Sequence, residues 1–125
     1  MKKNIIYTPD APDPIGPYSQ AVLANGMLYC SGQIAIDPAT GALVQESIEA
    51  ETEQVMKNIA AVLKAGGKTF ADVVKTGIFL ESMDDFAEVN RIYAKYFEVD
   101  PPARETVAVR TLPKNVKVEI SVIAC

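Results

Sequence analysis

The chain has 125 residues, 49% of them apolar and 22% charged, which suits a single compact domain spanning residues 1–125 and excludes intrinsic disorder. Twelve basic residues against sixteen acidic ones leave a formal net charge of −4 with no Lys/Arg run, weighing against nucleic acid as a partner. There is no histidine, so the commonest metal ligand and neutral-pH general base are missing, and no metal is expected.

The two cysteines make no disulfide framework: Cys30 reads as a small core residue and Cys125 as a thiol without a catalytic partner. No stretch reaches the length of a membrane span. Met1-Lys2-Lys3-Asn4 runs straight into a short apolar segment rather than a leader core, so a cytoplasmic location is expected.

Ile5-Ile6-Tyr7 reads as a short strand. Four prolines between Thr8 and Pro17 then forbid helix or central strand and define an ordered loop. Ser19–Leu23 and Met27–Ala35 flank Ala24-Asn25-Gly26, a hairpin signal because Asn-Gly accepts positive φ. A second turn follows at Asp37–Gly41. Ser47 is placed to cap a helix whose apolar stripe is Ile48, Val55, Met56, Ile59, Val62 and Leu63, and Gly66-Gly67 ends it. Val73–Leu80 is β-branched and alternating, a strand despite Gly77. Phe86, Val89, Tyr93 and Phe97 make a second helical stripe, started by Ser82 or Asp84, and the aromatics fit core packing. Thr106–Arg110 and Val116–Ile123 close the chain as strands joined by Leu112–Asn115.

This order predicts an α+β fold, a single mixed sheet with two helices on one face. A right-handed crossover would carry Val73–Leu80 through the second helix to Thr106–Arg110. Val116, Val118, Ile120 and Val122 alternate toward the helices, leaving Lys117, Glu119, Ser121 and Ile123 on the other face. On the hairpin, Met27 and Tyr29 share one face while Leu28, Cys30 and Ile34 share the opposite one. Apolar groups therefore occupy both faces, and two helices cover only one. A homo-oligomer is the expectation.

Arg104 stands apart, as one of three arginines and directly behind Pro101-Pro102-Ala103 at a strand entrance. A guanidinium on a stiffened backbone suits a two-pronged grip on a carboxylate. The plainer reading, a surface arginine at a loop–strand junction, has equal weight on spacing alone.

Four segments carry more: Ile15-Gly16-Pro17-Tyr18-Ser19-Gln20-Ala21, Ser31-Gly32-Gln33-Ile34, Pro102-Ala103-Arg104, and Leu112-Pro113-Lys114 with Val118-Glu119-Ile120. With Val74-Lys75-Thr76 and Phe86-Ala87-Glu88-Val89-Asn90, they resemble the Rid (YjgF) family and its RidA-like imine/enamine deaminases. Each piece alone is unspecific, but the ordered set over nearly the whole chain is specific. The resemblance implies a chorismate-mutase-like fold assembled as a homotrimer with intersubunit clefts. It implies hydrolysis of 2-imino acids or their enamine tautomers, such as 2-aminoacrylate, 2-iminopropanoate and 2-iminobutanoate, to 2-keto acids and ammonium. Pyridoxal-phosphate dehydratases release such by-products; the protein itself would need no cofactor.

By the same resemblance, Arg104 would clasp the substrate carboxylate and Glu119 would orient or deprotonate the attacking water. Glu119 taken alone is a strand carboxylate open to pairing with Lys117 or Lys114. Gly32 with Ser31 would let a ligand approach the backbone, although Gly32 equally suits a bulge. Tyr18 would wall the cleft or bridge loop and core. Asn90 is a further substrate-binding candidate, although a helix amide more often ties down a neighbouring segment. Thr106 stands where many relatives carry cysteine, which fits a contact through its backbone. Ser121 replaces a glutamate frequent in relatives and leaves Glu119 as the one carboxylate on that strand face. The alternative is a non-catalytic, regulatory or chaperone-like module that binds small 2-keto acids.

Overall fold

Turn and cap residues act where the sequence places them. In the computed structural model, which describes residues 2–125, Asn25 (φ 51°) and Gly26 (φ 76°) form a tight hairpin turn. The turn joins β2 (Ala21–Ala24) to β3 (Met27–Gln33), and β1 (Asn4–Ile6) pairs outside β2. The Ser47 hydroxyl accepts from the Ala50 N–H at 3.0 Å to start α1 (Ile48–Ala65). Gly67 at φ 76° turns the chain away at its end, and the Lys68 N–H returns to the Leu63 carbonyl at 2.8 Å. Ser82 opens a single 3-10 turn that leads into α2 (Phe86–Ala94), shorter than the aromatic stripe because Phe97 lies beyond its end.

The remaining strands are β4 (Val73–Leu80), β5 (Ala103–Ala108) and β6 (Val118–Ala124). They complete one six-stranded mixed sheet in the order β1-β2-β3-β6-β4-β5. Only β4 and β5 run parallel, and α2 supplies the crossover between them. The α+β reading holds. Leu28, Cys30, Ile78, Leu80, Val118, Ile120 and Val122 meet Val55, Met56, Ile59 and Val89 of the helices in the main core. Burial pushes the Cys30 thiol up to about 12, so it is an inert apolar group there. No helix among the described residues is long and apolar enough to cross a membrane.

Three expectations are corrected. β5 begins at Ala103 rather than Thr106, which brings Arg104 inside the strand. The unbroken alternation expected over Met27–Ala35 is interrupted: Cys30 pairs with Val122 but Gln33 with Ile120, one extra residue on β3. That bulge at Ser31-Gly32 turns Gln33 into the helix side and sends Ile34 to the opposite face, into a small cluster with Leu112 and Val116. Val116 itself precedes β6 and is not under the helices, because a 3-10 turn at Pro113–Asn115 displaces the start of the strand. The face away from the helices is thus partly covered by the chain's own loops. Ile5, Val22, Tyr29 and Ile123 still run across it in register, with Ile5 57% and Tyr29 48% exposed.

Two buried polar side chains fix the loops around this frame. Gln20, 2% exposed, accepts from the Thr8 N–H at 2.7 Å and donates to the Thr8 and Pro12 carbonyls, clasping the proline-rich loop. Glu51 accepts from the Lys117 and Val118 N–H groups at 2.8 and 3.2 Å and so anchors the start of β6 to α1. Burial raises the Glu51 carboxyl above its ordinary value, opposed by those two N–H groups. With the native value above the unfolded one, this residue's stabilising contribution is complete at low pH and is lost as pH rises through the raised value. A comparison of melting temperatures at several pH values is expected to show wild type losing stability relative to Glu51→Gln above about pH 4.5.

Candidate functional site

The bulge in β3 puts a residue without a side chain beside the one carboxylate on the open side of β6. Gly32 lies against Glu119 so closely that a Cβ there would fall 2.9 Å from Glu119 Cδ, and closer still to Oε2. Tyr18, from the proline-rich loop, lines the same small cavity of about 60 Å³ together with Asp13, Ile15 and Pro113. Its hydroxyl accepts from the Ile15 N–H at 3.3 Å. Ser31 is adjacent in the bulge, but its hydroxyl donates to the Ser19 carbonyl at 2.6 Å and serves to tie β3 to the loop. Glu119 is half-buried with no ion pair to Lys117 or Lys114. Burial raises its carboxyl above the ordinary value, which brings a proton-accepting carboxylate nearer to neutral pH.

Arg104 is elsewhere. It pairs with Thr76 across β4–β5, and Thr76 is in turn opposite Val122, so its side chain is on the helix side of the sheet. Glu119 is opposite Phe79, on the other side. The guanidinium is on the outer strand, where Nη1 donates to Asn90 Oδ1 at 2.6 Å. It also lies 5.1 Å from the Tyr93 ring centroid and 5.5 Å from that of Phe86. An open hollow of about 480 Å³, walled by Tyr93, Phe97, Pro101 and Pro102, adjoins it. Thr106, two residues on and facing the same way, has a buried hydroxyl with no hydrogen-bond partner.

The seven sequence-selected residues therefore fall into two groups. Tyr18, Ser31, Gly32 and Glu119 form one, Asn90, Arg104 and Thr106 the other, and the sheet separates them. Among the described residues no three His, Cys, Asp or Glu side chains are gathered to hold a metal. Phe86 and Tyr93 pack in the core as their stripe predicts, and in addition they lie under Arg104, which the stripe does not state. The spacing carried a signal: positions 86, 90 and 93 share one helical face, so Asn90 belongs to the aromatic stripe.

The contact between Gly32 and Glu119 has a direct test. Gly32→Ala is expected to fold, because the clashing group is the end of a flexible side chain, yet to displace the carboxylate. A shift near 1 Å costs about 100-fold in rate. In assays of the imine hydrolysis that the resemblance implies, run beside thermal melts, the variant is expected to lose turnover with a nearly unchanged melting temperature; unchanged turnover would remove Glu119 from that chemistry.

The family described as Endoribonuclease L-PSP matches residues 8–125. Reactive Intermediate Deaminase A, chloroplastic, of Arabidopsis thaliana is 49% identical, over 99% of this chain and 66% of that protein. A Rid-family protein of unknown function from Yersinia pestis is 53% identical and superposes with a TM-score of 0.96, covering 98% of both chains. TdcF of E. coli, solved with bound serine, is 36% identical with a TM-score of 0.92, covering 97% of both.

Proposed function

This chain belongs to the Rid family, and from that premise and the two half-sites we propose that it hydrolyses small 2-imino acids to 2-keto acids and ammonium. The observation carrying this reading is Arg104. Among the described residues its side chain takes part in no ion pair and makes one hydrogen bond, from Nη1 to a neutral amide, which leaves Nε and Nη2 as donors for a carboxylate. The deaminase relative and the serine seen in TdcF, a small amino acid with the same carboxylate, support the substrate class.

The chemistry asks little of the protein. A protonated C=N bond is already electrophilic; an enamine becomes one by taking a proton at carbon. Water adds to the carbon while Glu119 accepts its proton, giving a carbinolamine. That proton passes to nitrogen, ammonia leaves, and the hydroxyl collapses to the keto group with loss of its proton. Holding the acid near a placed water and one base is sufficient, and no cofactor enters the reaction. Because the sheet separates Arg104 from Glu119, the reading needs Arg104 of one protomer to face Glu119, Gly32 and Tyr18 of another. The apolar row Ile5, Val22, Tyr29 and Ile123 is surface for such an assembly, and a homotrimer is the form we propose. The setting is the cytoplasm, near dehydratases that release imines. The negative charge and missing histidine weigh against ribonuclease activity.

An amino acid oxidase that generates 2-iminobutanoate in the presence of semicarbazide tests the proposal. The protein is expected to lower semicarbazone formation and speed keto-acid release. Binding of 2-oxobutanoate without acceleration would replace the enzyme reading with that of a 2-keto-acid sensor.

A further inference from the structure

Arginine side chains at a strand edge sample many rotamers, and a grip works only if the guanidinium is held beforehand. The usual holder, a carboxylate, would neutralise the charge that has to attract the ligand. This chain uses neutral groups instead. The Asn90 amide oxygen accepts from Nη1 at 2.6 Å, and the rings of Tyr93 and Phe86 face the guanidinium carbon at 5.1 and 5.5 Å. Tyr93 is itself fixed. Only 4% exposed, it shares a buried 2.8 Å hydrogen bond with the Thr76 hydroxyl and packs on Phe97 with centroids 4.7 Å apart. Thr76 is the β4 residue paired with Arg104, so the backbone that bears the arginine and the ring that supports it are locked to the same point.

We infer that Tyr93 and Asn90 are positioning residues that pre-set Arg104 for carboxylate capture without discharging it, Thr76 fixing the ring. This rests on the clasp assigned to Arg104 above, and it moves Asn90 from contacting substrate to holding the group that does. The consequence is a separation of kinetic effects. Asn90→Asp puts a negative charge where a neutral oxygen stands, so it would occupy the guanidinium and compete with every substrate carboxylate. Removing the Tyr93 ring frees the guanidinium without altering the water or Glu119.

The experiment is steady-state hydrolysis of 2-iminobutanoate by the assembled full-length protein, with KM and kcat determined separately. Asn90→Asp is expected to raise KM at least about 10-fold and Tyr93→Leu about 3- to 10-fold, each with kcat within about twofold of wild type. Tyr93→Phe keeps the ring but loses the Thr76 hydrogen bond that fixes it, so it is expected to melt earlier and to raise KM clearly less than Tyr93→Leu does. Asn90 is on the surface of α2, so its variant reports even if Tyr93→Leu fails to fold. An unchanged KM in Asn90→Asp, or a Tyr93→Phe as impaired in KM as Tyr93→Leu, overturns the inference while leaving the clasp standing. Wild-type turnover in Arg104→Ala would instead remove the clasp itself.

Discussion

Arg104→Ala is expected to bring imine hydrolysis close to the uncatalysed rate while leaving the fold intact. The side chain is exposed, so its removal creates no core cavity. What it removes is the charge-assisted grip on the substrate, a contact worth about 1.5–3 kcal/mol when made. The loss grows when the ligand carboxylate is left unpaired in a partly dry cleft, to about 2–5 kcal/mol. Converted at about 1.4 kcal/mol per decade, kcat/KM falls roughly 30-fold to several thousand-fold. Arg104→Lys is expected to recover little, because an ammonium cannot make two parallel bonds in one plane and loses the flat face set against Phe86 and Tyr93. Melting temperatures should stay within a few degrees of wild type for both. An alanine variant that turns over normally would show that the carboxylate is held somewhere else.

The fold was legible wherever local chemistry acts alone. Asn25-Gly26, Ser47 and Gly66-Gly67 are short-range signals, and each turn or cap forms where its residues stand. The faces of β6 followed from strict alternation, Val118, Ile120 and Val122 inward and Glu119, Ser121 and Ile123 outward. The sequence pattern failed where pairing between distant strands decides. Gly32 in Leu28-Tyr29-Cys30-Ser31-Gly32-Gln33-Ile34 suited a bulge as well as a ligand approach, but the segment alone did not decide between them; the bulge exists because β3 must keep register with β6 on both sides of it. One inserted residue reverses the facing of everything after it, which is why Ile34 was misplaced.

The candidate site shows the same division. Its residue types were readable from the motifs, and Glu119 could be assigned to a strand, but Arg104 only to a strand entrance. Their placement on opposite sides of the sheet was not readable, because it depends on the β4–β5 and β4–β6 registers together. Nor was the partnership of Asn90 with Arg104, which spans 14 positions and arises from the crossover that lays α2 against the outer strand. That geometry turns a general expectation of oligomers into a specific one: if Arg104 is the grip and Glu119 the base, a single chain cannot bring both to one ligand, because they lie on opposite sides of its sheet.

Glu119→Gln tests the base, and combined with Arg104→Ala it tests the assembly. The amide is nearly isosteric but cannot take a proton, so kcat is expected to fall about 100- to 10,000-fold. Burial holds the native carboxyl above its ordinary value, and only its ionised form accepts a proton. Wild-type kcat should therefore rise with pH through that raised value and level off above it, whereas Glu119→Gln should lack this limb. A glutamine variant with near-normal kcat would reduce Glu119 to placing water by hydrogen bonds alone. Each single variant is then nearly inactive, yet their mixture need not be. If Arg104 of one protomer serves Glu119 of its neighbour, an interface whose arginine comes from a Glu119→Gln chain and whose glutamate comes from an Arg104→Ala chain is wholly intact. Random co-assembly of equal amounts makes about one interface in four of this kind, in a closed ring of any size. Co-refolding the two variants is thus expected to restore about 25% of wild-type activity from two inactive parents. A site contained within one chain would gain nothing from mixing, because every chain in the sample lacks one of its two groups.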